Sequence, residues 1–219
     1  TGEILLNLDT EEDDEIDIGC AGGVDVTASA GYQLTTTSPN FVKIDIKGLQ
    51  GGHSGMDIHK GFGNSNVILG RLLYTGIDNE IQLISIDGGS LRNAIPREAH
   101  ATVSVNNSDE FLQNLETLKT EILEEFTSVE KDLSISYEKM SASEQGLSTE
   151  NSKKIILALK SAHNGVYRMS PDVEDLVETS NNIARVELKN GALKILNLTR
   201  SCVDSSKMAV AEQLKSVFE

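Results

Sequence analysis

The side chains of this 219-residue chain best suited to proton transfer or metal binding near neutral pH are four histidines, at 53, 59, 100 and 163. Two of them stand six residues apart in KGLQGGHSGMDIHKGFGNSN (residues 47–66), between glycine-rich flanks, with Asp57 between them. Positions i and i+6 do not share a helix face, and the segment offers no further carboxylate or thiolate, so the spacing is poor for a zinc site. On composition it reads as a glycine-bent loop whose histidines cap the next helix or satisfy backbone carbonyls. His100 falls on the polar face of a strand, and His163 ends a helix, where a partly positive imidazole suits the dipole. The chain has no Gly-x-Ser-x-Gly elbow, no phosphate-cradling loop and no local Cys–His pair. The acidic run at Asp9, Glu11, Glu12, Asp13, Asp14, Glu15 and Asp17 has the charge of a calcium loop. It lacks the turn glycine and the spaced twelfth-position glutamate, and reads as a solvated loop.

The elements around these residues follow from periodicity. Ile4–Leu8 forms a short apolar strand, and an extended region runs from Ile16 to Tyr32. Val42, Ile44 and Ile46 alternate with Lys43, Asp45 and Lys47, the period-two pattern of a half-buried strand. The spacing of Val67, Ile68, Leu69, Leu72 and Leu73 predicts a helix from Asn64 to Thr75, stopped by Gly76. IQLISI and the alternating Ala99–Asn106 segment give two strands, and Ser108 caps a long amphipathic helix through Phe126. DLSISYE adds a last strand, completing a split β-α-β-β-α-β unit whose natural solution is an antiparallel sheet with both helices on one face. After the polar segment MSASEQGLSTE, the order helix, strand, Asn190-Gly191 turn, strand, helix repeats the theme, with the closing strand missing. The expected class is α+β, a two-layer arrangement of split units. Residues 1–32 are expected to be connecting strands, 33–140 the first unit and 141–219 an incomplete second.

The chemical class is bounded by composition. With 38% hydrophobic and 24% charged residues, and no apolar run near the ~20 residues a span requires, the chain is not expected to cross a membrane. A formal charge of −15 disfavours nucleic acid and anionic lipid, both of which would repel it. Cys20 and Cys202 form no disulfide framework, which points to a reducing, cytoplasmic setting. TGEILLNLD has neither an initiator Met nor a signal pattern and reads as an internal piece of a longer protein.

Five segments carry a resemblance in order along the chain: LLNLDTEEDDEIDIGCAGGVD, KGLQGGHSGMDIHKGFGNSN, GGSLRNAIPREA, VETSNN and TRSCVDSSK. Together they resemble the aminoacyl-histidine (Xaa-His) dipeptidase family, di-zinc metallopeptidases related to carnosinase. The resemblance implies a catalytic domain holding two zinc ions and an inserted lid or dimerisation domain of split units; it places nearly all of this chain in the lid, with residues 1–32 as a short edge of the catalytic domain and connecting strands. It implies that Asp9, ending the LLNLD strand, is a zinc ligand, while Glu11 and Glu12 stay in the solvated loop. It implies that His53 reaches into the zinc site as the oxyanion or carbonyl donor, and that Asn93 and Arg200 bind substrate. On the residues alone Asn93 has a second reading as a turn former before Pro96, and Arg200 one as a strand-end surface charge; His59 reads as scaffold. The expected substrate is a dipeptide such as carnosine, with room for a homodimer. The segment by itself is expected to be inactive and to bind no zinc, since most ligands and the general base lie elsewhere. The alternative is a small-molecule-binding regulatory or association domain of similar topology.

Overall fold

The computed structural model describes residues 20–141 and 144–219. The Ile4–Leu8 strand, the acidic run and Asp9 lie outside the described residues.

The first strand is β1, Gly22–Gly31, followed by the two-residue β2, Thr35–Thr36. Strand β3, Asn40–Lys47, buries Val42, Ile44 and Ile46 as its alternation predicts. After β4, Gly52–His53, comes helix α1, Ser65–Tyr74, capped by Asn64, whose side chain accepts the N–H groups of Asn66 and Val67. Gly76 ends this helix differently from expectation. Its φ is −90°, so it is no left-handed cap. A β-carbon there would stand 2.9 Å from Phe111 and 2.8 Å from Ile81, so packing rather than backbone conformation demands glycine.

The first unit continues with β5, Gln82–Gly89; β6, Ala94–Ile95; and β7, Ala99–Val105. Helix α2, Ser108–Phe126, buries Phe111, Leu115 and Ile122 on one face. Its cap is Asn107 rather than Ser108, because the Asn107 side chain accepts the Glu110 N–H at 3.2 Å. Strand β8, Ser134–Met140, closes the unit. The polar segment that follows contains β9, Gln145–Gly146, which pairs with β2. Helix α3, Thr149–Ser161, starts on a Ser148 cap. Then come β10, Gly165–Met169; β11, Val177–Lys189; β12, Ala192–Ser201; and α4, Asp204–Phe218. Between β11 and β12, Asn190 and Gly191 both take positive φ, at 51° and 78°, as the two-residue hairpin requires.

One antiparallel sheet runs β1-β12-β11-β5-β7-β3-β8, with β10 pairing β11 beside that path. The helices form one layer on it: α2 packs on α1, α1 on α3, and α3 on α4. The first unit supplies β5-β7-β3-β8. In the second, β12 is flanked by β1, which enters from before the first unit and occupies the place that β3 holds beside β7. The two units join through antiparallel pairing of β5 with β11, from Ile86↔Leu188 to Gly89↔Arg185. They therefore pair within one chain. On the face away from the helices, Asp45 contacts Lys43 at 2.9 Å and His100 Nδ1 at 2.6 Å, which accounts for His100 structurally. Burial would raise the Asp45 pKa, but hydrogen bonds from Lys43 and His100 outweigh it and hold the carboxyl below its ordinary value.

Candidate functional site

The loop between β3 and α1 is bent by glycine and clamped at both ends. Gly51 has φ +69°, and a β-carbon on it would stand 2.8 Å from Arg97 Cδ and 3.1 Å from the Ile95 carbonyl. Glu130, only 4% exposed, accepts the Gln50 N–H with one oxygen and the Gly63 N–H with the other, each at 2.8 Å. One buried carboxylate thus ties together the two ends of the segment that carries His53. Within it, β4 pairs with β6 so that His53 faces Ala94, and the Ser54 N–H donates to the Asn93 carbonyl at 2.8 Å.

Asp57 and the main chain fix His53 itself. Asp57 Oδ2 accepts the His53 N–H at 2.7 Å, while Oδ1 pairs with Lys60 at 2.7 Å. The Lys60 ammonium, and then the His53 N–H, hold the Asp57 carboxyl below its usual range. The Met56 N–H donates to His53 Nδ1 at 3.2 Å. A nitrogen that accepts a backbone N–H carries no proton, so the neutral imidazole has its hydrogen on Nε2. The ring is half-buried and offers Nε2–H as a donor.

Arg200 reaches the same place from β12. A β-carbon on Gly55 would stand 3.2 Å from His53 Cε1 and 3.3 Å from both Cδ and Nη1 of Arg200, so the imidazole and the guanidinium flank this glycine. Arg200 Nε is buried without a protein partner among the described residues. Asn93 lies exposed one residue before the β6 position that pairs with His53. The structure thus brings His53 of the first unit and Arg200 of the second together at Gly55, and sets the Asn93 main chain beside Ser54 in the same loop cluster. Asp9 lies outside the described residues, His59 is exposed, and His163 contacts the Gly165 carbonyl at 3.2 Å and the Tyr167 ring.

Two contributors have roles that the sequence does not show, although Asn182 lies in the resembling segment VETSNN. Glu130 sits in TSVEKD, which reads as surface charge. Asn182, in β11, donates to the carbonyls of Arg92 and Ala94 on either side of Asn93, at 3.2 and 2.8 Å. Both act through long-range hydrogen bonds to main-chain groups, which no spacing rule detects.

The model of the M20 peptidase dimerisation domain matches residues 43–133. That stretch of the chain is similar to the M20 peptidase dimerisation domain. The matched stretch runs from within β3 to just before β8 and holds His53 and Asn93, whereas Arg200 comes from beyond it. The chain is 38% identical over 220 residues to the cytosol non-specific dipeptidase of Escherichia coli (strain K12), covering 98% of this chain and 45% of the relative. The crystal structure of aminoacylhistidine dipeptidase from Vibrio alginolyticus superposes with a TM-score of 0.88 and 36% identity, over 99% of this chain and 45% of that one. The similarity therefore extends past the dimerisation domain into the second unit, β1 and α3 to α4 included. The chain spans somewhat under half the length of these relatives.

Among the described residues, no group of three or more His, Cys, Asp or Glu side chains is arranged to hold a metal ion. These residues do not fit a zinc centre; what the cluster at Gly55 offers is hydrogen-bond donors and one fixed cation. No helix among them is long and apolar enough to cross a membrane.

Proposed function

We propose that this chain is the lid and association region of a zinc dipeptidase that hydrolyses Xaa-His dipeptides such as carnosine. The observation that carries the reading is the convergence on Gly55 of a His53 ring with a free Nε2 donor and an Arg200 guanidinium with an unpaired Nε. The similarity to two dipeptidases over nearly the whole chain supports it. In this reading the two zinc ions are held outside the described residues, with Asp9 among their ligands.

The lid's own residues contribute binding and charge stabilisation. His53 Nε2–H donates to the scissile carbonyl oxygen and more strongly as that oxygen becomes an oxyanion. Arg200 pairs with the free carboxylate of the dipeptide, for which a guanidinium fork is suited. Asn93 orients the same substrate through its amide. The reading includes a cytoplasmic setting, supported by the cytosolic name of the Escherichia coli relative and by two free, exposed cysteines. It includes a homodimer, supported by the dimerisation-domain match. Because β11 of the same chain occupies the β5 edge, a second copy must associate through another surface.

Substrate chemistry tests the proposal. The full-length protein, supplied with zinc, is expected to hydrolyse Xaa-His dipeptides with a free carboxylate and to lose roughly 10- to 100-fold in kcat/KM on their C-terminal amides, the scale of one charged hydrogen bond. Arg200→Ala should narrow that preference. Equal rates on acid and amide, with Arg200 intact, would contradict the assignment.

A further inference from the structure

We infer that Asn182 is a positioning residue that holds the Asn93 loop in its substrate-binding conformation; the inference rests on the proposed role of Asn93. Asn182 is 1% exposed, and its amide nitrogen spends both hydrogens on the loop, at Arg92 O and Ala94 O. The reverse orientation would set an oxygen against two carbonyl oxygens, so these acceptors fix which way the amide points. Its own oxygen accepts from Asn64 Nδ2 at 3.2 Å.

Asn64 in turn caps α1, accepting the N–H groups of Asn66 and Val67 at 3.0 and 3.3 Å. Asn164 Oδ1 receives both Asn64 Nδ2, at 3.0 Å, and the Ile183 N–H, at 2.9 Å. A buried amide chain therefore runs from the start of α1 in the first unit, through β11 in the second, to the two peptide carbonyls that bracket Asn93. The Asn93 carbonyl passes the constraint on, because it accepts the Ser54 N–H beside His53.

The alternatives to asparagine fail on this geometry. An ionised aspartate would present only oxygens to two carbonyls, and leucine of similar size would leave both carbonyls without their donor. The role is positioning, since Asn182 lies behind the loop and contacts its main chain.

The test uses the full-length protein with Asn182→Asp, Asn182→Ser, which keeps one donor, Asn93→Ala and the two double variants. Asn182→Asp is expected to lower kcat/KM on an Xaa-His dipeptide about tenfold or more, with partial recovery as acidification restores a carboxyl donor. Asn182→Ser should fall between it and wild type. In the Asn93→Ala background either change should cost clearly less than in the wild type, the remaining loss being carried by the main-chain bond from Ser54 to residue 93, which alanine keeps. Hydrogen exchange should quicken at residues 53–54 and 92–95 and stay unchanged in β7. Additive losses in the double variants, or unchanged exchange in the loop, would overturn the inference while leaving the role of Asn93 intact. Wild-type kcat/KM in Asn93→Ala would instead overturn the role of Asn93, and the inference with it.

Discussion

Replacing His53 with alanine in the full-length protein is expected to lower kcat for an Xaa-His dipeptide by about 10²–10³-fold, or roughly 2.7–4 kcal/mol, the usual scale for losing an oxyanion donor. The expectation rests on direction as well as proximity. The Met56 N–H occupies Nδ1, so only Nε2 is free to donate, and Asp57 holds the residue's own N–H at 2.7 Å. Such a donor is fixed before substrate arrives and does not have to reorganise in the transition state. The loss should therefore fall on kcat more than on KM, as for an interaction made only in the transition state. Steady-state kinetics decide the matter, and a near-wild-type kcat would remove His53 from the chemistry. Asp57→Asn offers a milder version, since an amide can still accept the His53 N–H but pairs less strongly with Lys60.

The second large effect concerns stability. Glu130→Ala should destabilise the protein by about 2–4 kcal/mol, because it leaves the Gln50 and Gly63 N–H groups unpaired at roughly 1–3 kcal/mol each. Solvent reaching Gln50 keeps the sum from doubling, since that contact is only part-buried. For a domain of this size, the loss corresponds to a fall in Tm of roughly 4–16 °C. Glu130→Gln keeps one acceptor and should lose about half as much. Chemical denaturation of the three proteins measures this directly; an unchanged midpoint for Glu130→Ala would show that the loop ends are held by other contacts. Because the carboxylate closes the segment bearing His53, the alanine variant should also lose activity at temperatures where it remains folded.

Much of the fold could be read locally, and the reasons are specific. The alternation of Val42, Ile44 and Ile46 with charged neighbours, and the Asn190-Gly191 turn, each settle an element within a few residues. Strand β10 escaped because GVYRM lacks alternation, and its pairing with β11 is interrupted by irregularities around Arg168. The position of β1 escaped for a different reason. Its partner lies at the other end of the chain, Gly22 opposite Ser201, and only the completed sheet defines that contact.

The site was legible only in part. His53, Asn93 and Arg200 entered through resemblance of short motifs, and nothing in their spacing shows that His53 and Arg200 meet at Gly55 or that the Asn93 main chain lies beside Ser54. Asn182 lies in one of the resembling segments, yet neither it nor Glu130 shows its holding role, because an acidic side chain after a helix and an asparagine in a strand look ordinary until their main-chain partners are known. Gly76 shows the opposite error: a glycine at a helix end suggested a left-handed cap, whereas the close approach of Phe111 and Ile81 is what excludes a side chain.

The most direct test of the central claim, that residues of both units form one substrate site around Gly55, is a crystal structure of the full-length protein with a non-hydrolysable phosphinic analogue of an Xaa-His dipeptide. The account predicts a phosphinate oxygen within about 3.2 Å of His53 Nε2 and the analogue's carboxylate paired with the Arg200 guanidinium. An analogue bound in the catalytic centre with its carboxylate held elsewhere, and with His53 and Arg200 both out of reach, would contradict it.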